Sequence, residues 1–116
     1  MSRKKIDFSI VRELALALPG VEESTSYGAP SLKVGGKLLA CMAQDKAAEP
    51  NTLAIGISIE QRTAWIAAAP DIYYATKHYL NYAVVLIRLD AVDRDELRGA
   101  LEQAWRFATT KKMRKK

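Results

Sequence analysis

Two adjacent glycines constrain this chain more than any other feature. Val34-Gly35-Gly36-Lys37 lies between two apolar runs, Ser31–Val34 and Lys37–Met42. A two-residue type I′ turn needs positive φ at both central positions, and glycine takes that geometry without steric cost. The pair therefore predicts a tight antiparallel hairpin, and with it a chain that folds around an antiparallel sheet.

The surrounding pattern supports that reading. Residues 22–57 read as antiparallel strands, interrupted by the polar, Pro50-containing loop Gln44–Asn51. Thr52–Ile57 follows as a strand with Leu53, Ile55 and Ile57 on one face. A helix is predicted over 7–18, with Asp7 as N-cap, Ile10, Leu14 and Leu18 at i, i+4, i+8, and Pro19-Gly20 as its stop. Ser58 opens a second helix with Gln61 at the capping-box position, and Pro70 ends it by Ala69. Asp71–Tyr74 is strand-like and Tyr82–Leu89 reads as a strong strand. Asp93, with Glu96 three residues on, caps a third helix whose inner face is Leu97, Ala100, Leu101, Ala104 and Ala108. Strands and helices do not alternate as a parallel sheet requires. The expected fold class is α+β: an antiparallel sheet with helices packed on one face.

With 116 residues the chain suits one domain, spanning 1–116, with a core over about 6–109 and a basic tail at 110–116. A single cysteine, Cys41, permits no intrachain disulfide, and its apolar setting suits a reduced, small hydrophobe. Arg12 and Glu13 break the one stretch that imitates a secretory signal. No run approaches the ~18 apolar residues of a membrane span. The expected compartment is the cytoplasm and no membrane partner is expected.

Net charge is +5, but eight of the 18 basic residues lie in the two tails, at Arg3, Lys4, Lys5, Lys111, Lys112, Arg114, Lys115 and Lys116. The remaining ten face 13 acidic residues, so the body formally carries −3. Basicity of this kind draws polyanions to the tails without sequence preference.

Several chemistries lack their parts. Gly35-Gly36-Lys37 has no Ser/Thr in the phosphate-loop position and sits in a hairpin rather than a strand-to-helix turn. One His and one Cys make no spaced metal site. Glu22 and Glu23, adjacent in a strand, point to opposite faces. Nothing brings Cys41 and His78 together as a nucleophile pair. The expectation is a non-enzymatic protein without metal or cofactor.

Three stretches remain as candidates for function. Tyr73–Tyr82 holds four of the five tyrosines and the only histidine, with Lys77, His78 and Tyr79 in succession. Aromatic faces interleaved with cations suit base stacking beside phosphate, whereas tyrosines also fill sheet faces. Lys33 and Lys37 flank the hairpin turn, where cations grip phosphates or simply solvate an edge. Arg94, Arg98, Glu102 and Arg106 recur every four residues on the third helix and read as a solvated face with i,i+4 pairs.

Three segments together resemble the MmcQ/YjbR family of small bacterial proteins: Ala17-Leu18-Pro19-Gly20-Val21-Glu22-Glu23-Ser24-Thr25 with Tyr27-Gly28, then Leu32-Lys33-Val34-Gly35-Gly36-Lys37-Leu38-Leu39-Ala40, then Lys77-His78-Tyr79-Leu80-Asn81-Tyr82-Ala83-Val84. The likeness covers roughly 7–109. One departure is Tyr79, where the family usually shows Trp. The resemblance implies a fold like that of the bacterial frataxin homologue, and DNA binding through a double wing of β-hairpins. It does not extend to iron, because the first helix offers only Asp7 and Glu13 as acids.

Two functions follow as expectations. The first is weak, salt-sensitive DNA binding through Lys33, Lys37, Lys77, His78 and Tyr79, aided by the tail residues Lys111 and Lys112. The second is a small-ligand or protein-interaction domain using Tyr73–Tyr82. The expected assembly is a monomer or small homo-oligomer.

Overall fold

A computed structural model gives the fold and describes residues 6–26, 29–43 and 46–110. In chain order the elements are α1 (Phe8–Leu16), β1 (Val21–Ser26), β2 (Ala29–Val34), β3 (Lys37–Met42), β4 (Thr52–Gly56), α2 (Ile59–Ala68), β5 (Tyr73–Tyr74), a 3-10 turn (Lys77–Tyr79), β6 (Val84–Arg88) and α3 (Arg94–Thr110). The strands form one six-stranded sheet in the order β1-β2-β3-β4-β6-β5, with every neighbouring pair antiparallel. Lys111 and Lys112 lie outside the described residues.

Local chemistry sets the boundaries. The Asp7 carboxylate accepts hydrogen bonds from the Ser9 and Ile10 amides and the Ser9 hydroxyl, which holds its pKa below the usual range. Ser58 Oγ accepts from the Gln61 amide at 3.1 Å, and Asp93 Oδ1 accepts from the Glu96 amide at 2.8 Å. Both predicted caps form, Gln61 Oε1 also accepts the Ser58 hydroxyl at 3.3 Å, and the side chain at each box position has a tertiary partner as well. Gln61 Nε2 donates to Gln103 on α3, and the Glu96 carboxylate takes the Tyr73 hydroxyl at 2.6 Å. Gly35 and Gly36 adopt φ of 60° and 80°, as the type I′ turn demands.

The last two strands are shorter than the sequence pattern predicts, β5 by two residues and β6 by three. β5 starts late because the Ile72 and Tyr73 amides turn back to the Ala69 carbonyl, and β6 starts late because the connection before it winds into consecutive tight turns. There Tyr79 N bonds Thr76 O, Tyr82 N bonds Tyr79 O, and Val84 N bonds Tyr82 O. Those amides are consumed locally and are not available to extend a ladder.

All three helices cover one face of the sheet. Leu53 and Ile55 on β4 pair with Ile87 and Val85 on β6, and these join Val11, Leu14, Leu97, Leu101 and Ala104 in the main core. Tyr73 shows that α2 shares this face. Its ring lies 5.1 Å from that of Trp65 on α2, while its hydroxyl reaches Glu96 on α3. A bulge between Leu32 and Lys33 sets one extra residue, Leu39, into β3, so that Leu39 and Ala40 are both fully buried.

The opposite face carries Ser31, Cys41, Ala54, Leu86 and Tyr74 in one cross-strand row. Its outer end is pinned by Arg88, which lies 4.2 Å over the Tyr74 ring and forms a two-pronged bond with Glu49 at 2.8 and 2.9 Å. The Tyr74 hydroxyl shares a 2.7 Å bond with Thr52 and accepts the Glu49 amide, which closes the β3–β4 connection over this corner. Two members of the charged stripe of α3, Arg94 and Arg98, pair outside the i,i+4 pattern. Arg94 crosses to Glu13 on α1 at 2.6 Å, and Arg98 turns back to Asp95 at 3.6 Å. Arg98 thus pairs within the helix, one turn back rather than one turn on.

Candidate functional site

The hairpin turn, the β4–α2 junction and the segment 77–83 meet at one end of the sheet. Val34 pairs with Lys37 beside the turn, and Gly56 pairs with Val84 two strands away. Between them the backbones nearly touch. A Cβ on Gly56 would come within 3.1 Å of the Leu38 carbonyl, and the Ile57 amide bonds the Ala83 carbonyl at 3.0 Å. A side chain at Gly56 would push the Leu38 carbonyl back by a few tenths of an ångström, so glycine suits this close approach of the two backbones.

One side chain organises the segment. Arg62 of α2 is 7% exposed, and among the described residues it is the buried charged group. Its Nη1 donates to the carbonyls of Tyr79 at 3.1 Å, Tyr82 at 2.9 Å and Val84 at 3.1 Å, while Nη2 donates to Leu80 at 3.1 Å. Nη1 has two protons for three acceptors, so at least one bond is shared. The four carbonyl dipoles together replace water around the cation. The amides of 79, 80 and 82 are consumed in turns and four carbonyls point inward at the guanidinium.

With its backbone polar groups satisfied inside, the segment turns side chains outward. Lys77 and His78 are exposed, Leu80 is 50% exposed and Tyr82 57%, and Tyr79 is half-buried. The His78 ring stands edge-on to Tyr79 at 4.8 Å and lies 6.1 Å from Tyr82 with the planes tilted by 42°. Ile59, 46% exposed, precedes Arg62 by one turn on the same side of α2. Among the described residues, three of the four most exposed large apolar side chains therefore cluster around the Arg62 cage.

The residues singled out from sequence divide at this point. Lys37, Lys77 and His78 share the turn end of the sheet, and Lys33 lies one rung further in. Lys37 stands opposite the core residue Val34, so it leaves on the helix-bearing side, whereas Lys33 leaves on the other face, opposite Glu22 of β1. The tyrosine-rich stretch also splits. Tyr73 is 4% exposed and bound to Glu96, and burial together with that carboxylate drives its pKa well above the usual value. Tyr74 is held under Arg88. Only Tyr79 and Tyr82 of the four belong to the exposed segment. Cys41 sits mid-sheet opposite Ala54, and burial raises its pKa against the pull of Lys33.

Arg62 is the residue that sequence reasoning missed. A signal was present, because a lone charge falls between Ile59 and Ile66 at i−3 and i+4, on the apolar stripe of α2. A groove of about 360 Å³ lies elsewhere, between α1 and α3, lined by Glu13, Leu14, Leu18, Arg98 and Glu102. Among the described residues no cluster of His, Cys, Asp and Glu could hold a metal ion, and no helix is long and apolar enough to cross a membrane.

Known proteins place this architecture. The crystal structure of Deinococcus radiodurans protein DR2400, which carries the DUF419 domain, superposes with a TM-score of 0.74 at 20% identity, covering 100% of this chain and 87% of that one. At that identity the likeness shows the fold alone. No curated protein matches the chain. The YjbR family model matches residues 16–107, from the end of α1 to the last turns of α3 and including both the glycine hairpin and the Arg62-held segment. With most of its length matched in this way, the chain belongs to the YjbR family.

Proposed function

We propose that this YjbR-family protein binds nucleic acid weakly through the turn end of its sheet, as a non-enzymatic module. The observation that carries the reading is the joint placement of Lys37 at the hairpin tip with Lys77 and His78 on a backbone fixed by Arg62. A fixed backbone presents cations and rings without the ordering cost that a flexible loop incurs on binding. The hairpin acts as one wing, with phosphates as its contacts, and the basic tail containing Lys111 and Lys112 adds attraction without sequence preference. Two features keep the interaction weak. Glu22 faces Lys33 across the β1–β2 pair, and Glu60 stands in the first turn of α2.

The test is fluorescence anisotropy with random duplex and single strands across a salt series, using the full chain and a chain ending at Thr110. Binding should fall with salt along a log–log slope near −0.9 per phosphate neutralised on duplex. The Lys37→Ala, Lys77→Ala double variant should make that slope shallower by about 2. No binding at low salt, or a slope unmoved by the double variant, refutes the proposal.

A second reading rests on Ile59, Leu80 and Tyr82. Exposed apolar side chains beside a charged rim also suit a protein partner. That reading expects binding that persists at high salt and is lost in Leu80→Ser.

A further inference from the structure

We infer that the nucleic acid taken by this site is an unpaired strand, with one base stacked on the outer face of Tyr82 while Lys77 and His78 hold the adjoining phosphates. The inference rests on the nucleic-acid reading above and adds the class of ligand.

The charge at the site argues against duplex as its main ligand. Among the described residues Lys37 and Lys77 are the exposed ammonium groups at this end, and Lys33 leaves on the other face beside Glu22. Two or three phosphate contacts are few against the six to ten or so that give a duplex binder its affinity. Whatever else binds must use the apolar surface, and in a duplex the base faces are hidden against one another. In a single strand those faces are free, and every base has one.

The rings show how a base would be seated. Stacked aromatic planes lie roughly 3.4 Å apart, so a base between two rings needs about 7 Å between parallel planes. His78 and Tyr82 are 6.1 Å apart and tilted by 42°, which leaves no slot between them. The open side of Tyr82, whose side chain is more than half exposed, is the available platform. His78 packs at right angles to Tyr79 with ring centroids 4.8 Å apart, which holds the imidazole beside the platform. The backbone beneath Tyr82 is fixed, since its own carbonyl takes the 2.9 Å bond from Arg62. The platform therefore does not have to be ordered when the base arrives.

The experiment uses the chain ending at Thr110, so that the tail does not mask the site, with fluorescein-labelled oligothymidylate of about 12 nucleotides and a duplex of equal length. Single strand should bind more tightly than duplex at matched salt. Tyr82→Ala should weaken single-strand binding by roughly 5- to 150-fold, the range for loss of one stacked base, and leave duplex binding unchanged. Tyr82→Trp should retain binding, and its fluorescence should quench on adding single strand but not duplex. Equal affinity for both ligands with a silent Tyr82→Ala overturns this inference and leaves the broader proposal standing. Tighter duplex binding that depends on Leu80 also overturns it, in favour of a side chain wedged between base pairs. Failure of both ligands to bind at low salt removes the proposal and the inference together.

Discussion

Replacing Arg62 by methionine isolates the cage, because methionine keeps the apolar stem and removes the guanidinium. Each charge-assisted hydrogen bond contributes about 1.5–3 kcal/mol. Nη1 reaches three carbonyls with two protons, so the four contacts count as roughly three full bonds. Two effects offset that gross figure. Removing the ion relieves a desolvation penalty of several kcal/mol, and carbonyls on an exposed segment regain water when it opens. The net loss should be about 2–4 kcal/mol, a large share of the 5–15 kcal/mol or so that holds a domain together. It should be local first, because detaching residues 77–83 leaves the α1–α3 core intact. Hydrogen exchange at the Tyr79, Leu80, Tyr82 and Val84 amides should quicken in Arg62→Met, while the Leu53 and Ile55 amides stay protected. Urea melts followed by Trp65 and Trp105 fluorescence should shift to lower midpoints. Arg62→Lys, with one nitrogen and three protons, should fall between the two. A melt within 0.5 kcal/mol of wild type, with unchanged exchange across 77–84, would refute the cage as the element that fixes this surface.

Other outcomes follow from the same structure. Ser31 Oγ is buried without a hydrogen-bond partner, so Ser31→Ala should stabilise the fold by about 1 kcal/mol, a rise in Tm of roughly 4 °C by calorimetry. Gly36→Ala forces a side chain to φ of 80° and should cost about 1–2 kcal/mol in urea melts, with no new clash since nothing lies within 4 Å of the added Cβ. The Arg88 guanidinium holds the Glu49 pKa below its ordinary 4.5, first through the hydrogen bond and then through charge. A depressed carboxylate contributes stability above its unfolded pKa and loses it as pH falls through the folded one. The advantage of wild type over Glu49→Gln should therefore hold at neutral pH and shrink in melts below about pH 4.5. The Cys41 thiol, raised by burial, should alkylate more slowly with iodoacetamide at pH 8 than a free cysteine, and unfolding in urea should remove the difference.

The fold was largely legible because its strongest signals are local. Gly35-Gly36 fixed a turn type, Asp7, Ser58 and Asp93 fixed helix starts, and alternation along β4 fixed which residues face inward. The site was legible only in part, for a physical reason. The two-residue turn pairs Lys37 with Val34 and Leu38 with Lys33, so Lys33 and Lys37 leave on opposite faces, a consequence of the pleat that the lysine spacing in the sequence does not show on its face. Whether Tyr73 or Tyr82 is exposed depends on Glu96 and Trp65, which approach from separate helices. Arg62 is the sharpest instance. In sequence it is a charge misplaced on an apolar stripe, and its meaning appears only when four carbonyls from 17 to 22 residues downstream converge on it. A buried cation with carbonyls for a solvation shell is costly to assemble and rewards only a defined geometry. A polar cage of that kind beneath the exposed Lys77, His78 and Tyr82 suits a surface that must keep its shape to be recognised, which an ordinary turn between β5 and β6 has no need to do.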